Sequence, residues 1–415
     1  MDFSKQITRK VNVNYALMQS SFLCITATIV NFSIIYLRTK GLSNTEAGLT
    51  LSLAQIATIV LQPFLGSFAD RHPNIPLKFI TTFFLAIQAA LCVLMMFINS
   101  PLFLIMILFM IISATLGLFM TLVNSLGMRY KNSGIQVNFS AARGVGALAF
   151  AISGYIIGLL IERAGMVAFM PITLFFIVST AAAMLFSMRP PEEEGAAREV
   201  VKGKHQREPF FQSLIKIFQY NPATIFVFFS VMMISFNHIM MDTYQINMIL
   251  DVGGNSEQYG LLILVMAACE VPPMLLLNRI AKKFQYGSIL TFAFAVYIIK
   301  DIMIALSPNV TVLLLAQTLN LFSVGFYFTA TVYYINDLVG KDQTVRGQAL
   351  INGLSAGIGM ILGTTVGGVI IDASNAATLF MSCAGVAALG ALFMFISMRV
   401  NAKHQITLQQ KAFTE

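Results

Sequence analysis

The chain reads as an all-α membrane protein, with twelve transmembrane helices arranged as two pseudo-symmetric six-helix bundles. Three observations lead there. Of its 415 residues, 57% are hydrophobic and only 11% charged, with mean hydropathy +0.78, where a soluble domain carries about 25% charge. Apolar runs long enough to cross about 30 Å of hydrocarbon recur along the whole sequence. One long polar stretch, Arg189 to Gln212, divides six runs from six.

The runs are 14–37, 46–69, 76–98, 101–127, 139–161 and 165–188, then 219–248, 257–278, 286–306, 309–336, 347–371 and 376–398. The first follows Lys5, Arg9 and Lys10. It is too long for a signal-peptide core and no small-residue cleavage site comes after it, so it is read as a retained helix. Tight breaks such as Asn99-Ser100-Pro101 and Ser307-Pro308-Asn309 force antiparallel neighbours. The expected domains are residues 1–188, a cytoplasmic linker 189–212, and residues 213–415. With Trp absent and 35 Phe present, the interfacial belt falls to Tyr, Phe and Lys/Arg. Cys24, Cys92, Cys269 and Cys383 lie in apolar runs, without metal or disulfide spacing, and read as small apolar filler.

Charge placement sets the expected orientation. With both termini cytoplasmic, the outside holds only Arg38, Lys40 and Arg163 among the 26 Lys and Arg, and Arg143 and Lys300 fall within spans. The excess of cations on the other side follows the positive-inside rule. It fixes the expected orientation and supports an even number of spans; the expected location is a bacterial inner membrane.

A weak internal repeat suggests duplication. At one constant offset Pro63 matches Pro272, Gly144 matches Gly353, Gly154 matches Gly363 and Gly158 matches Gly367. Ser43-Asn44-Thr45-Glu46 before the second span resembles Asn255-Ser256-Glu257 before the eighth. Rows of glycine let helices approach closely and slide.

The chemistry rests on few residues. Arg143, Asp242, Glu270, Lys300 and Asp301 are the ionisable groups well inside spans. An arginine in hydrocarbon costs at least about 2.5–3.5 kcal/mol, so it is kept where it meets a carboxylate, a wet cavity or a ligand. Two cations against three acids leave one acid unpaired, and such a group suits proton loading and release; structural ion pairing is the alternative for each acid. His238, one turn from Asp242, reads as a packing or hydrogen-bonding residue. Ala147, Phe150 and Gly154 share a helix face with Arg143, offering a cation, a small residue and an aromatic plate such as a sugar ring needs; helix packing alone also explains the small residues. In the tenth span Gln317, Asn320, Val324 and Tyr327 form a neutral polar stripe. Asn31 and Asn352 add amides, which in membrane helices often only bridge neighbours. At the cytoplasmic end of the second span comes Gln62-Pro63-Phe64-Leu65-Gly66, then Asp70-Arg71-His72. Here Gly66 permits close helix contact, and Asp70 and Arg71 suit a contact made in one state and released in another.

That loop resembles the Gly-x-x-x-Asp-Arg/Lys loop of the major facilitator superfamily. With the span count and linker, the whole chain is similar to that superfamily. Within it, three segments resemble the lactose-permease branch of oligosaccharide/proton symporters and the wider lactose-permease-like group. They are Gln62-Pro63-Phe64-Leu65-Gly66 with Asp70, Arg143-Gly144-Val145-Gly146-Ala147-Leu148-Ala149-Phe150, and Glu270-Val271-Pro272-Pro273 with Asn278-Arg279-Ile280. The resemblance implies that Arg143, Glu270 and Phe150 bind substrate. It sets Asp242-Thr243-Tyr244-Gln245-Ile246-Asn247 beside the branch's seventh-helix Asp region and Lys300 at its ninth-helix Arg. The branch's tenth-helix Lys, His and Glu are matched by Gln317, Asn320 and Ser323, its fourth-helix acid by Asn124 or Ser125, and its stacking Trp by Phe150. These departures fit the wider group better, whose substrates include nucleosides and aromatic acids.

The expected function is secondary active transport of a small polar organic solute, sugar-like or nucleoside-like, by alternating access with proton symport. Arg143, Ala147, Phe150, Glu270, Gln317, Asn320 and Asn124 are the candidate substrate residues. Glu270, Asp242, Lys300 and Asp301 are the candidates for coupling, and Gly66, Asp70 and Arg71 for gating. The partners expected are that solute, a proton or other cation, and the bilayer. No cofactor, metal or nucleic acid is expected, and the chain is expected to be a monomer. Drug or metabolite efflux by proton antiport is the alternative, weakened because no Pro lies between Phe139 and Ile161 where antiporters of the superfamily tend to carry Gly-Pro. A membrane-embedded lipid enzyme would need a metal cluster, an Asp-rich motif or a nucleophile with its base, and none is in the sequence.

Overall fold

A computed structural model describes residues 2–72, 75–99, 101–132, 135, 137–188, 210–339, 347–348, 351, 353 and 355–414. Among them all regular structure is helical. The helices are α1 Asp2–Thr39, α2 Asn44–Arg71, α3 Leu77–Phe97, α4 Leu102–Asn132, α5 Phe139–Ala164, α6 Phe169–Leu185, α7 Phe210–Tyr220, α8 Ala223–Asp251, α9 Ser256–Ile280, α10 Tyr286–Ala305, α11 Val310–Thr318, α12 Val324–Val339, α13 Ser355–Ala373 and α14 Ala376–Thr414. Eleven helical stretches among the described residues are long and apolar enough to cross a membrane. The eighth expected span is the continuous α9, whose 25 residues reach about 38 Å at 1.5 Å per residue. Large apolar side chains such as Phe64, Phe83, Phe103 and Phe175 stand exposed on the helix faces. Such surfaces suit lipid rather than water.

The chain forms two compact units. The first is Met1–Lys204 with Asn255–Leu264, and the second is His205–Gly254 with Val265–Glu415. Their internal packing follows one plan. In the first, α1 packs on α5 and α6, α3 on α6, and α3 on α4; in the second, α8 packs on α13 and α14, α10 on α14, and α10 on α12. This is the duplication that the glycine repeat suggests.

Glycine makes the closest of these approaches. A Cβ on Gly363 would come 2.2 Å from Ile239 Cγ2 and 2.8 Å from the Phe236 carbonyl oxygen, and one on Gly367 would enter the Tyr244 ring. Their repeat mates pack the first unit: a Cβ on Gly158 would come 2.3 Å from the Ser256 carbonyl oxygen, and one on Gly154 2.8 Å from Ile263 Cγ2. Gly144 and Gly353, the first members of the two ladders, meet nothing within 4 Å.

Side-chain caps set five of the helix starts. Ser43 and Glu46 form a reciprocal capping box on α2. Asn255 does the same for α9 with Gln258, not with the neighbouring Glu257; the box needs its acceptor three residues on. Asn138, Asn309 and Asn375 accept from the backbone N–H three residues later at α5, α11 and α14.

Three expectations are corrected. The seventh span does not begin at 219. Pro222, which has no N–H to donate, and Asn221, whose Oδ1 accepts from the Ala223 N–H at 3.1 Å, separate the short α7 from α8. The tenth span is not one helix: a 3₁₀ turn at Leu319–Leu321 breaks it into α11 and α12. The close helix contact expected at Gly66 is not found, since an added Cβ there meets nothing within 4 Å. Residues 189–209 of the linker and Asn352 lie outside the described residues, as does the side chain of Asp70.

Candidate functional site

The polar candidates of the second unit meet in one cluster. It is built from α8, the α9 residue Glu270, α10, and the break between α11 and α12. On α8, Ser235, His238, Asp242 and Gln245 recur at helical spacing and share a face. His238 Nε2 lies 3.3 Å from Asp242 Oδ2. The imidazole and the Phe328 ring lie T-shaped to one another, with centroids 5.4 Å apart. Ser235 Oγ and the Tyr327 hydroxyl are 2.8 Å apart, tying α8 to α12.

Asn237, on a different face of α8, binds two further helices at once. Its Nδ2 donates to Asp301 Oδ2 at 2.6 Å on α10 and to the Cys383 carbonyl at 2.7 Å on α14. Asp301 and its neighbour Lys300 are both fully buried. Lys300 Nζ donates at 2.7 Å to Asn320 Oδ1 and sits 4.6 Å from the Tyr297 ring centroid, a cation–π distance. Asp301, Asp242 and Glu270 all act electrostatically on the ammonium. Asn320 Nδ2 in turn reaches Gln317 Oε1 at 3.4 Å.

The broken helix makes this arrangement. Asn320 lies within the 3₁₀ turn, whose tighter winding turns its amide toward Lys300 where an unbroken helix would keep it on a straight stripe. Interrupted membrane helices of this kind recur at transporter binding sites. Across the cluster Asn237 Oδ1, His238 Nδ1, Asp242 Oδ1, Tyr297 Oη, Asp301 Oδ1 and Gln317 Nε2 are buried without a hydrogen-bond partner among the described residues. Each such atom costs about 1–3 kcal/mol, so a concentration of them marks a place kept for function rather than for stability.

In the first unit, Arg143, Ala147 and Asn124 are exposed and Phe150 is half-buried. The Arg143 guanidinium acts electrostatically on Tyr15, whose hydroxyl accepts from Gln19 Nε2 at 3.1 Å. Gly66 and Arg71 sit in the last two turns of α2, Arg71 exposed. A separate cavity of about 530 Å³ between α2 and α3 is lined by residues such as Leu61, Phe64, Phe68 and Phe83. Its walls are apolar and offer nothing to orient a polar solute.

Sequence reasoning missed Asn237 and Tyr297 and passed over His238; Tyr327 it placed on the polar stripe of the tenth span. The signal for His238 was its i, i+4 spacing to Asp242. Asn237 was an amide inside an apolar run, and nothing in its spacing shows that it spans three helices.

Two repeated bundles of membrane-length helices, one of them holding buried charge and unpaired polar groups, define a multi-pass membrane transporter and not an enzyme. The family model described as "MFS_1 like family" matches residues 17–382, and the chain belongs to that family. It is 21% identical over 98% of its length to the uncharacterized transporter YwbF of Bacillus subtilis strain 168, covering 98% of that protein. It is 24% identical over 81% of its length to a maltose permease of Geobacillus stearothermophilus, covering 82% of it. Among solved structures, a mutant of the nucleoside transporter NupG superposes with TM-score 0.80 at 14% identity, over 93% of this chain and 99% of that one. A bacterial homolog of the human lysosomal transporter Spinster, in an inward-facing and unoccupied conformation, gives TM-score 0.71 at 15% identity, over 96% and 98%. At these identities the solved structures establish the fold alone.

Proposed function

We propose that the chain is a secondary active transporter that moves a small polar organic solute, sugar-like or nucleoside-like, by alternating access coupled to proton symport. The observation that carries this is the cluster of Asp242, Glu270, Lys300 and Asp301 with its unpaired buried polar atoms. One ammonium faces three carboxyl groups. In hydrocarbon such a surplus of acid is costly unless a proton or another cation offsets it. Gln317, Asn320 and Tyr297 give neutral donors and acceptors for hydroxyl or heterocyclic groups. Arg143, Ala147, Phe150 and Asn124 are the solute-binding candidates of the first unit, and Gly66, Asp70 and Arg71 its gating candidates. Both termini lie in the cytoplasm, with residues 189–212 linking residues 1–188 to 213–415. The protein works as a monomer in a bacterial inner membrane. The sugar and nucleoside classes find support in the names of the maltose permease and the nucleoside transporter.

The test is uptake of radiolabelled maltose, uridine and benzoate into proteoliposomes under an imposed pH gradient, inside alkaline. Gradient-dependent accumulation of one of them is expected. In Glu270→Gln, accumulation is lost while downhill exchange of the same solute persists. Accumulation driven by the opposite gradient favours antiport and overturns symport. Unchanged accumulation in Glu270→Gln removes Glu270 from coupling.

A further inference from the structure

We infer that His238, held by Asp242, is a proton-binding site of the second unit, and that its charge decides whether Asp242 engages the imidazole ring or Lys300. The inference deepens the proton-coupled reading and, as a coupling device, rests on it.

The geometry assigns the ring's proton. A carboxylate oxygen only accepts, so with Nε2 3.3 Å from Asp242 Oδ2 the neutral imidazole carries its hydrogen on Nε2. Its Nδ1 then presents a lone pair, and this atom is buried with no partner among the described residues. The Phe328 ring against one side keeps the imidazole from turning freely. Nδ1 is therefore a proton acceptor held in place, with a carboxylate on the opposite nitrogen to stabilise the imidazolium that would form. That is the arrangement by which a second partner fixes the tautomer and basicity of a histidine.

The surroundings limit what else bears on it. On its own helix the charged neighbour is Asp242; from α10 Lys300 acts on His238 directly, beside Asp301 and Tyr297. From α9, Glu270 reaches Asp242. Helix α12 brings the neutral Tyr327 and Phe328, and α14 the Cys383 thiol. Helix α13 brings Asp372, which acts on Tyr244 further along α8, and α7 packs on α8 with Lys216.

The charge balance follows. With the ring neutral, the pair carries one negative charge, and Asp242 is among the acids that act on the Lys300 ammonium. When Nδ1 takes up a proton, no bond is broken and the pair becomes an imidazolium–carboxylate of zero net charge. Asp242 is then offset by the imidazolium and acts less on Lys300, whose charge is left for an acceptor on the solute. Proton uptake and solute binding thereby favour one another through a single shared carboxylate.

The test needs no knowledge of the solute. The chain has four histidines, His72, His205, His238 and His404, so imidazole-labelled full-length protein in nanodiscs gives four NMR signals, and His238→Gln identifies the one of interest. We expect it to show the Nε2–H tautomer at high pH and to take up a second proton as the pH is lowered. In Asp242→Asn its proton affinity falls about tenfold or more and the two tautomers mix. In Lys300→Gln the affinity rises. A His238 signal that does not titrate, or that titrates identically in native protein and Asp242→Asn, overturns the inference. Asp242→Asn alone decides the matter if Lys300→Gln does not fold. Failure of the native protein to accumulate any of the three labelled solutes under either gradient overturns the transport reading instead, and the NMR titration still decides the proton site.

Discussion

Replacing Asp301 by Asn keeps the shape of the side chain and removes its charge, which makes it a clean probe of how the buried cluster holds together. Asp301 and Lys300 are both fully buried. The carboxylate accepts a 2.6 Å hydrogen bond from Asn237 and is foremost among the acids acting on Lys300. In Asp301→Asn the ammonium keeps its bond to Asn320 but loses the foremost of its compensating charges. Breaking one partner of such a buried pair costs about 3–5 kcal/mol. For a unit of about 200 residues, at about 2–4 °C per kcal/mol, the melting temperature falls by about 6–20 °C. Lys300→Met strands the carboxylate in the same way and is expected to cost a similar amount. The double variant removes both charges and is expected to recover about 3 kcal/mol of the summed loss. With no Trp in the chain, unfolding is best followed by a thiol-reactive fluorophore, since Cys24, Cys92 and Cys383 are buried. If the two single losses add to within about 0.5 kcal/mol in the double variant, the residues do not compensate one another and the electrostatic account of the cluster fails.

Two further outcomes are expected from the same melting assay. Gly363→Ala forces a methyl to within 2.2 Å of Ile239 and 2.8 Å of the Phe236 carbonyl and costs about 1–3 kcal/mol, whereas Gly385→Ala, with nothing within 4 Å, is neutral or stabilising by up to about 1 kcal/mol; equal effects would refute the close α8–α13 packing. Asn320→Ala removes the acceptor of the Lys300 ammonium and costs about 1.5–3 kcal/mol, together with a loss of accumulation in the proteoliposome assay; native stability in this variant would show that Lys300 does not depend on the broken helix.

The legibility of the site follows the range of its interactions. Lys300, Asp301, Asp242 and Glu270 stand out along the chain because charge in an apolar run is conspicuous whatever it touches. His238 and Asp242 are one helical turn apart, so their pairing is local and could have been given more weight. Asn237 is different. Its role comes from reaching Asp301, 64 residues away, and Cys383, 146 residues away, and no spacing rule covers such contacts. The 3₁₀ turn at Asn320 was equally hidden, because no Pro or Gly falls between Gln317 and Val324 and Gly325 just beyond does not by itself mark a break.

The sequence by itself determined the membrane-spanning helical class, the number and approximate limits of the spans, and the duplication. These depend on hydrophobic run length and on repeated glycine and cap residues, which act within one helix or between neighbours. Only the tertiary structure decided that Lys300 turns to Asn320, that Asn237 ties three helices together, that Gly66 faces open space, and that Asn255–Leu264 packs with the first unit. Those outcomes depend on which helix faces meet and at what distance. That is fixed by the packing of side chains far apart in the chain, where a shift of one turn would exchange every partner.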